Sequence, residues 1–142
     1  MTPGRAFRAA AAAMCALFVL SLAVQYNDPD PYLWMPIYGL AAVLAGMGAA
    51  GRLPLRANVA ALLLYLALFT LWAPSLLGAR REAFESWHMQ APEDEEPREA
   101  GGLALCALWS AVQIGVARKS SGRAQAHGQL GDAPEHRARV DG

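Results

Sequence analysis

Apolar runs, each ended by charge, set the pattern of this chain. No charged residue stands between Arg8 and Asp28, Asp30 and Arg52, Arg56 and Arg80, or Glu99 and Arg118. A helix crossing the hydrocarbon core needs about 20 apolar residues, because ~30 Å of thickness is covered at ~1.5 Å per residue. All four runs are close to that length. They predict helices over about 7–25, 32–50, 55–77 and 100–117. A soluble four-helix bundle would keep a charged face on every helix, and these segments have none. The fold class is therefore all-α: a polytopic membrane protein with a four-transmembrane-helix bundle over 1–117. Residues 118–142 are rich in Gly, Ala, Ser, Arg and His without apolar periodicity, and predict a basic, disordered tail.

The connections carry turn chemistry. In Tyr26-Asn27-Asp28-Pro29-Asp30-Pro31, Asn and Asp bend the backbone through side-chain hydrogen bonds and each proline fixes φ. Asp30 and Pro31 suit the N-cap and first position of the second helix, with Pro36 as an early kink. Ala42, Gly46 and Ala50, with Ala45 and Ala49 alongside, form a small-residue stripe that suits close packing on the Ala-rich first helix. In the third helix, Pro74 leaves the Thr70 carbonyl without its usual donor. Glu99, before the fourth helix, favours the positive end of its dipole.

Composition, 55% hydrophobic and 17% charged with a formal net charge of +0, decides less than the placement of charge. Arg5, Arg8, Arg52, Arg56, Arg118, Lys119, Arg123, Arg137 and Arg139 fall on one set of alternate segments, leaving Arg80, Arg81 and Arg98 on the other. The positive-inside rule then predicts an N-in, C-in topology. The opposite, outer side is acidic and aromatic, with Tyr26, Tyr32, Trp34, Tyr38, Trp72, Phe84 and Trp87 forming either an interfacial belt or a ligand-lining cluster. A second reading of the first segment is a cleavable signal peptide cut after Ala23, which would leave three spans.

Candidate chemistry is sparse. Cys15 and Cys106 differ in depth by roughly 10 Å, too far for a disulfide, and read as packing residues. The polar residues picked out within the spans are Gln25, Thr70, Ser110 and Gln113, none ionisable, so a proton- or ion-coupled transporter lacks its usual buried acid. Asp28 and Asp30, with His88 and the acids from Glu93 to Glu96, read either as a weak metal site or as a solvated acidic loop. His127 and His136 lack metal-ligand spacing. No phosphate-binding glycine loop, nucleophile elbow or zincin pattern is present, no cofactor is implied, and nothing points to nucleic acid.

Two stretches carry a family resemblance. Gln25-Tyr26-Asn27-Asp28-Pro29-Asp30 followed by Trp34 and Tyr38, and Glu95-Glu96-Pro97-Arg98-Glu99 followed by Gly102-Leu103, resemble the transmembrane protein 220 family, small multi-pass proteins of unknown function. The resemblance implies a polytopic helical protein and supplies no reaction. Pro97 and the long Arg80–Asp94 segment depart from the family pattern. The candidate outer-face motif is Asn27, Asp28, Asp30, Trp34, Tyr38, Arg98 and Glu99. Within it, Arg98 is the basic residue nearest the fourth helix, and it is expected to pair with Asp28 or Asp30 across the bundle.

These features favour a non-enzymatic structural or accessory component, in contact with the lipid bilayer and with other membrane proteins, in the plasma membrane or the bacterial inner membrane. The alternative is binding or transport of a small solute, lipid or cation at the acidic outer mouth. A metal-dependent enzyme acting on lipid headgroups at that rim comes third.

Overall fold

A computed structural model describes the backbone of residues 3–27, 30–77 and 95–131, and their side chains except at 27, 75, 77, 95–97 and 123–131. Helix α1 spans Arg5–Val24 and ends in a 3₁₀ turn, Gln25–Asn27; α2 spans Pro31–Ala49; α3 spans Leu55–Trp72 and runs into a 3₁₀ turn, Ala73–Leu77; α4 spans Glu95–Gly131. All four contain a segment long and apolar enough to cross a membrane.

Local chemistry accounts for the helix ends. Asp30 occupies the N-cap of α2 with Pro31 behind it, as expected, but its side chain makes no capping bond; its carbonyl accepts instead from the N–H groups of Leu33 and Trp34 at 3.1 and 3.4 Å. At the other end Gly51 takes φ 81°, a left-handed conformation that glycine adopts without a Cβ penalty. Its N–H then donates to Gly48 O at 3.0 Å and the N–H of Arg52 to Met47 O at 2.8 Å, the paired bonds of a Schellman motif. Arg8 Nε donates to Ala49 O at 2.8 Å, adding a cation at the negative end of α2.

Two expected helices differ in extent. The third is α-helical only to Trp72, because Pro74 has no N–H to continue the ladder and the chain tightens into a 3₁₀ turn. The fourth begins at Glu95 rather than near Ala100. Pro97 is tolerated there because the first four N–H groups of a helix have no intrahelical partner. It also runs to Gly131 instead of ending at Ala117, so the stretch from Arg118 to Gly131, expected to be disordered, is helical. Helix hydrogen bonds are local, and the Arg, Lys, Gln and Ala residues there are good helix formers. The remainder of the expected tail lies outside the described residues.

Helix α1 packs along α2, and α3 along α4, as two antiparallel hairpins; α2 and α4 meet at the centre. Consequently α2 and α4 run in the same direction. Within the apolar spans, 44% of α2 and 44% of α4 is buried, against 11% of α1 and 17% of α3. The outer pair therefore presents large apolar residues, such as Leu20, Leu63 and Leu71, where lipid tails are the solvent.

Small residues govern the α1–α2 contact. Ala11 and Phe18 are fully buried on α1, facing a core that includes Ala41 and Ala45 of α2. A Cβ on Gly46 would stand 3.4 Å from Cys15 Sγ, and one on Gly48 would stand 3.5 Å from Ala11 Cβ. The expected stripe on α2 is thus real, but its centre shifts to Ala41, Ala45 and Gly48, while Ala50 lies exposed. The two cysteines are free, and Cys106 is a buried packing residue of α4.

Gly48 is the sharpest test of this packing. A Cβ there would also lie 2.8 Å from the Gln113 side-chain amide, whereas one on Gly39 of the same helix would meet nothing within 4 Å. Gly48→Ala should lower stability by about 1–3 kcal/mol through overpacking, and Gly39→Ala should not destabilise. Reversible unfolding in mixed detergent micelles, followed by helix content, checks the difference.

Candidate functional site

Of the residues singled out by the sequence, Trp34, Tyr38 and Glu99 gather at the end of the bundle where α1 and α3 finish and α2 and α4 begin. Trp34 and Tyr38 are four residues apart on α2, and Glu99, Gly102 and Leu103 have helical spacing on α4, so each set shares one helix face. Trp34, Tyr38 and Leu103 are buried; Glu99 and Trp72, the last residue of α3, are half-buried.

Trp72 joins the two faces. Its Nε1 donates to Glu99 Oε2 at 2.7 Å. A bond to a charged acceptor is shorter and stronger than one between neutral groups. The same indole meets Trp34 edge-on, with ring centroids 5.6 Å apart and planes at 77°, and Trp34 lies 6.3 Å from Tyr38 at 35°. Edge-to-face pairing places the positive ring edge against a negative face. Tyr38 in turn reaches α4: its hydroxyl occupies the space that a Cβ at residue 102 would need, so only glycine fits there. Three helices are therefore tied by one layer of two indoles, a phenol and a carboxylate.

A second polar layer lies deeper. Gln113 is fully buried on α4; its amide nitrogen donates to Leu44 O of α2 at 3.0 Å and its oxygen accepts from Trp109 Nε1 at 3.0 Å, the orientation that satisfies both groups. Trp109 also stacks parallel on Phe7 of α1, with centroids 5.9 Å apart. Tyr65 of α3 donates to Ile37 O of α2 at 3.2 Å, and Ser110 Oγ donates to Cys106 O at 2.9 Å. Asn58, buried in the first turn of α3, donates through Nδ2 to Pro54 O at 3.1 Å. Among the described residues no buried side-chain nitrogen or oxygen lacks a hydrogen-bond partner. In a medium without water that satisfaction is what permits polar groups at all.

The structure divides the expected site. Trp34, Tyr38 and Glu99 come together. Asn27 closes the 3₁₀ turn after α1, and Asp30 is exposed at the start of α2. Asp28 and His88 lie outside the described residues. Arg98 is exposed, and its expected pairing with Asp28 or Asp30 falls partly outside the described residues; its neighbour Glu99 makes a bond between helices, to Trp72. The aromatic set also divides. Tyr26 and Tyr32, 78% and 94% exposed, suit an interfacial belt, whereas Trp34, Tyr38 and Trp72 pack inward. Phe84 and Trp87 are outside the described residues. Among the described residues no three His, Cys, Asp or Glu side chains converge as a metal set would.

Asn58 is absent from the candidates that the sequence offers, and Trp72 is among them only as one of the outer aromatics, not as the partner of Glu99. The signal for Trp72 was available, as an aromatic closing the third helix opposite the acid that opens the fourth. Asn58, a single neutral amide two residues after Arg56, carries no sequence signal that it is buried.

Residues 17–115 match the family model described as transmembrane family 220, helix, a stretch running from α1 into α4 and including every member of the aromatic–carboxylate layer. No solved structure matches the chain.

If the Trp72–Glu99 bond holds α3 to α4, the two residues are energetically coupled. A double-mutant cycle with Trp72→Phe and Glu99→Ala should give a coupling of about 1–3 kcal/mol in unfolding free energy. Additive effects would remove the bond from the account.

Proposed function

The chain belongs to transmembrane family 220, and we propose that it serves as a non-enzymatic structural or accessory component of a cell membrane, oriented N-in and C-in. The observation that carries this reading is the use made of its polar side chains. Gln113 and Tyr65 join helices through backbone carbonyls, and Glu99 takes the indole of Trp72. Side chains committed to helix–helix contacts suit a rigid element of a larger assembly. The lipid-facing sides of α1 and α3, wide and apolar, give such an assembly room for neighbouring membrane proteins. The plasma membrane or bacterial inner membrane is the setting, since the basic segments then satisfy the positive-inside rule.

A second reading keeps the acidic end as a mouth that binds or transports a cation, lipid or small solute. It is favoured by the half-buried Glu99 carboxylate, edged by aromatic rings that attract cations, with Asp30 exposed at the same end.

Cross-linking in native membranes followed by purification in mild detergent tests the first reading. The expected product is a stoichiometric complex with another membrane protein, and a strictly solitary monomer contradicts it. Cation uptake into liposomes holding the purified chain, if abolished by Asp28→Asn with Asp30→Asn, would favour the second reading over the first.

A further inference from the structure

The end of the bundle opposite the aromatic layer collects cations from every helix. Arg5 and Arg8 lie on the first turns of α1, Arg52 in the Schellman turn after α2, Arg56 on the first turn of α3, and Arg118 and Lys119 on α4; all six are exposed. Arg8 is bonded to Ala49 O, three residues before Arg52. Gln113 abuts Gly48, from which α2 runs on only to Ala49 before the turn that holds Arg52, and α4 runs the same way for five residues to Arg118.

The ring is held in place. The Arg8 guanidinium caps α2, Phe7 stacks on Trp109 of α4, and the turn from Met47 to Arg52 is fixed by its two backbone bonds. The described carboxylate side chains, Asp30 and Glu99, both belong to the opposite end. Six exposed cations at one end of the bundle, with no described carboxylate among them, repel one another and draw counter-anions. These residues stand at or near the ends of the four candidate spans, where a helix leaving the hydrocarbon meets lipid headgroups. Guanidinium groups bind phosphate oxygens in paired hydrogen bonds.

We propose that this ring is a binding surface for anionic phospholipid headgroups, with Arg52, Arg56 and Arg118 contacting the lipid phosphates. The inference goes beyond the accessory role and does not depend on it. Lipid binding here stabilises the folded bundle, because the ring exists only when the two hairpins are assembled.

Thermal unfolding of the full chain in neutral detergent, with added phosphatidylglycerol, phosphatidylcholine or inorganic phosphate, tests it. Phosphatidylglycerol should raise the melting temperature by several degrees over phosphatidylcholine, and the rise should shrink as salt screens the charges. The combined variant Arg52→Gln, Arg56→Gln and Arg118→Gln should lose the rise, and Arg98→Gln, a cation at the far end, should keep it. Equal effects of the two lipids on the unaltered chain would overturn the proposal. So would a rise that survives the triple substitution or is lost with Arg98→Gln, or an equal rise with inorganic phosphate alone.

Discussion

Helices α2 and α4 lie side by side in the same direction, in an environment that offers no water, and every polar atom between them and their neighbours has to find a protein partner. That requirement shapes the rest of the bundle. Burying a polar group in an apolar medium without a hydrogen bond costs several kcal/mol, so Gln113, Tyr65 and Trp109 can sit inside only in arrangements that satisfy them. The carbonyls of Leu44 and Ile37 supply part of that satisfaction, and both belong to α2. Helix α2 is thus the common acceptor to which α3 and α4 attach, while α1 attaches through small-residue contact and the Arg8–Ala49 bond.

Close approach and polar satisfaction depend on each other. Gly48 lets the Gln113 amide reach the backbone of α2, and Gly102 lets the Tyr38 hydroxyl reach the backbone of α4. A side chain at either glycine would separate helices whose hydrogen bonds have no solvent to fall back on. The two positions sit at different levels of the same seam. Above it, the Trp72–Glu99 bond and the Trp34–Trp72 contact draw in the end of α3.

The spans were readable from sequence because charge is expensive inside a membrane, so the uncharged runs marked them within a few residues. The end of α4 was not readable in that way, because a helix can leave the membrane on local hydrogen bonds alone, and loss of hydropathy after Ala117 says nothing about that. At the candidate site, the convergence of Trp34, Tyr38 and Glu99 was visible as two motifs expected at one end. Charge alone points to Arg98 as the tie to Asp28 or Asp30, and Asp28 lies outside the described residues. Successive helix residues are separated by about 100°, so when Glu99 turns toward Trp72 its neighbour is carried to the exposed side. Deeper in the bundle, Gln113 and Ser110 stand out in the sequence as polar residues within apolar spans, but their partners do not. A neutral amide or phenol in an apolar run looks incidental until the carbonyl opposite it is known.

Two helical hairpins are locked along the α2–α4 seam by fitted glycine contacts. The most direct measurement is the unfolding free energy of Gly102→Ala, taken alone and together with Tyr38→Phe. The seam predicts a loss of about 1–3 kcal/mol for Gly102→Ala, partly recovered when the tyrosine hydroxyl is removed. A Gly102→Ala protein as stable as the unaltered chain, or one that Tyr38→Phe does nothing to relieve, would contradict it.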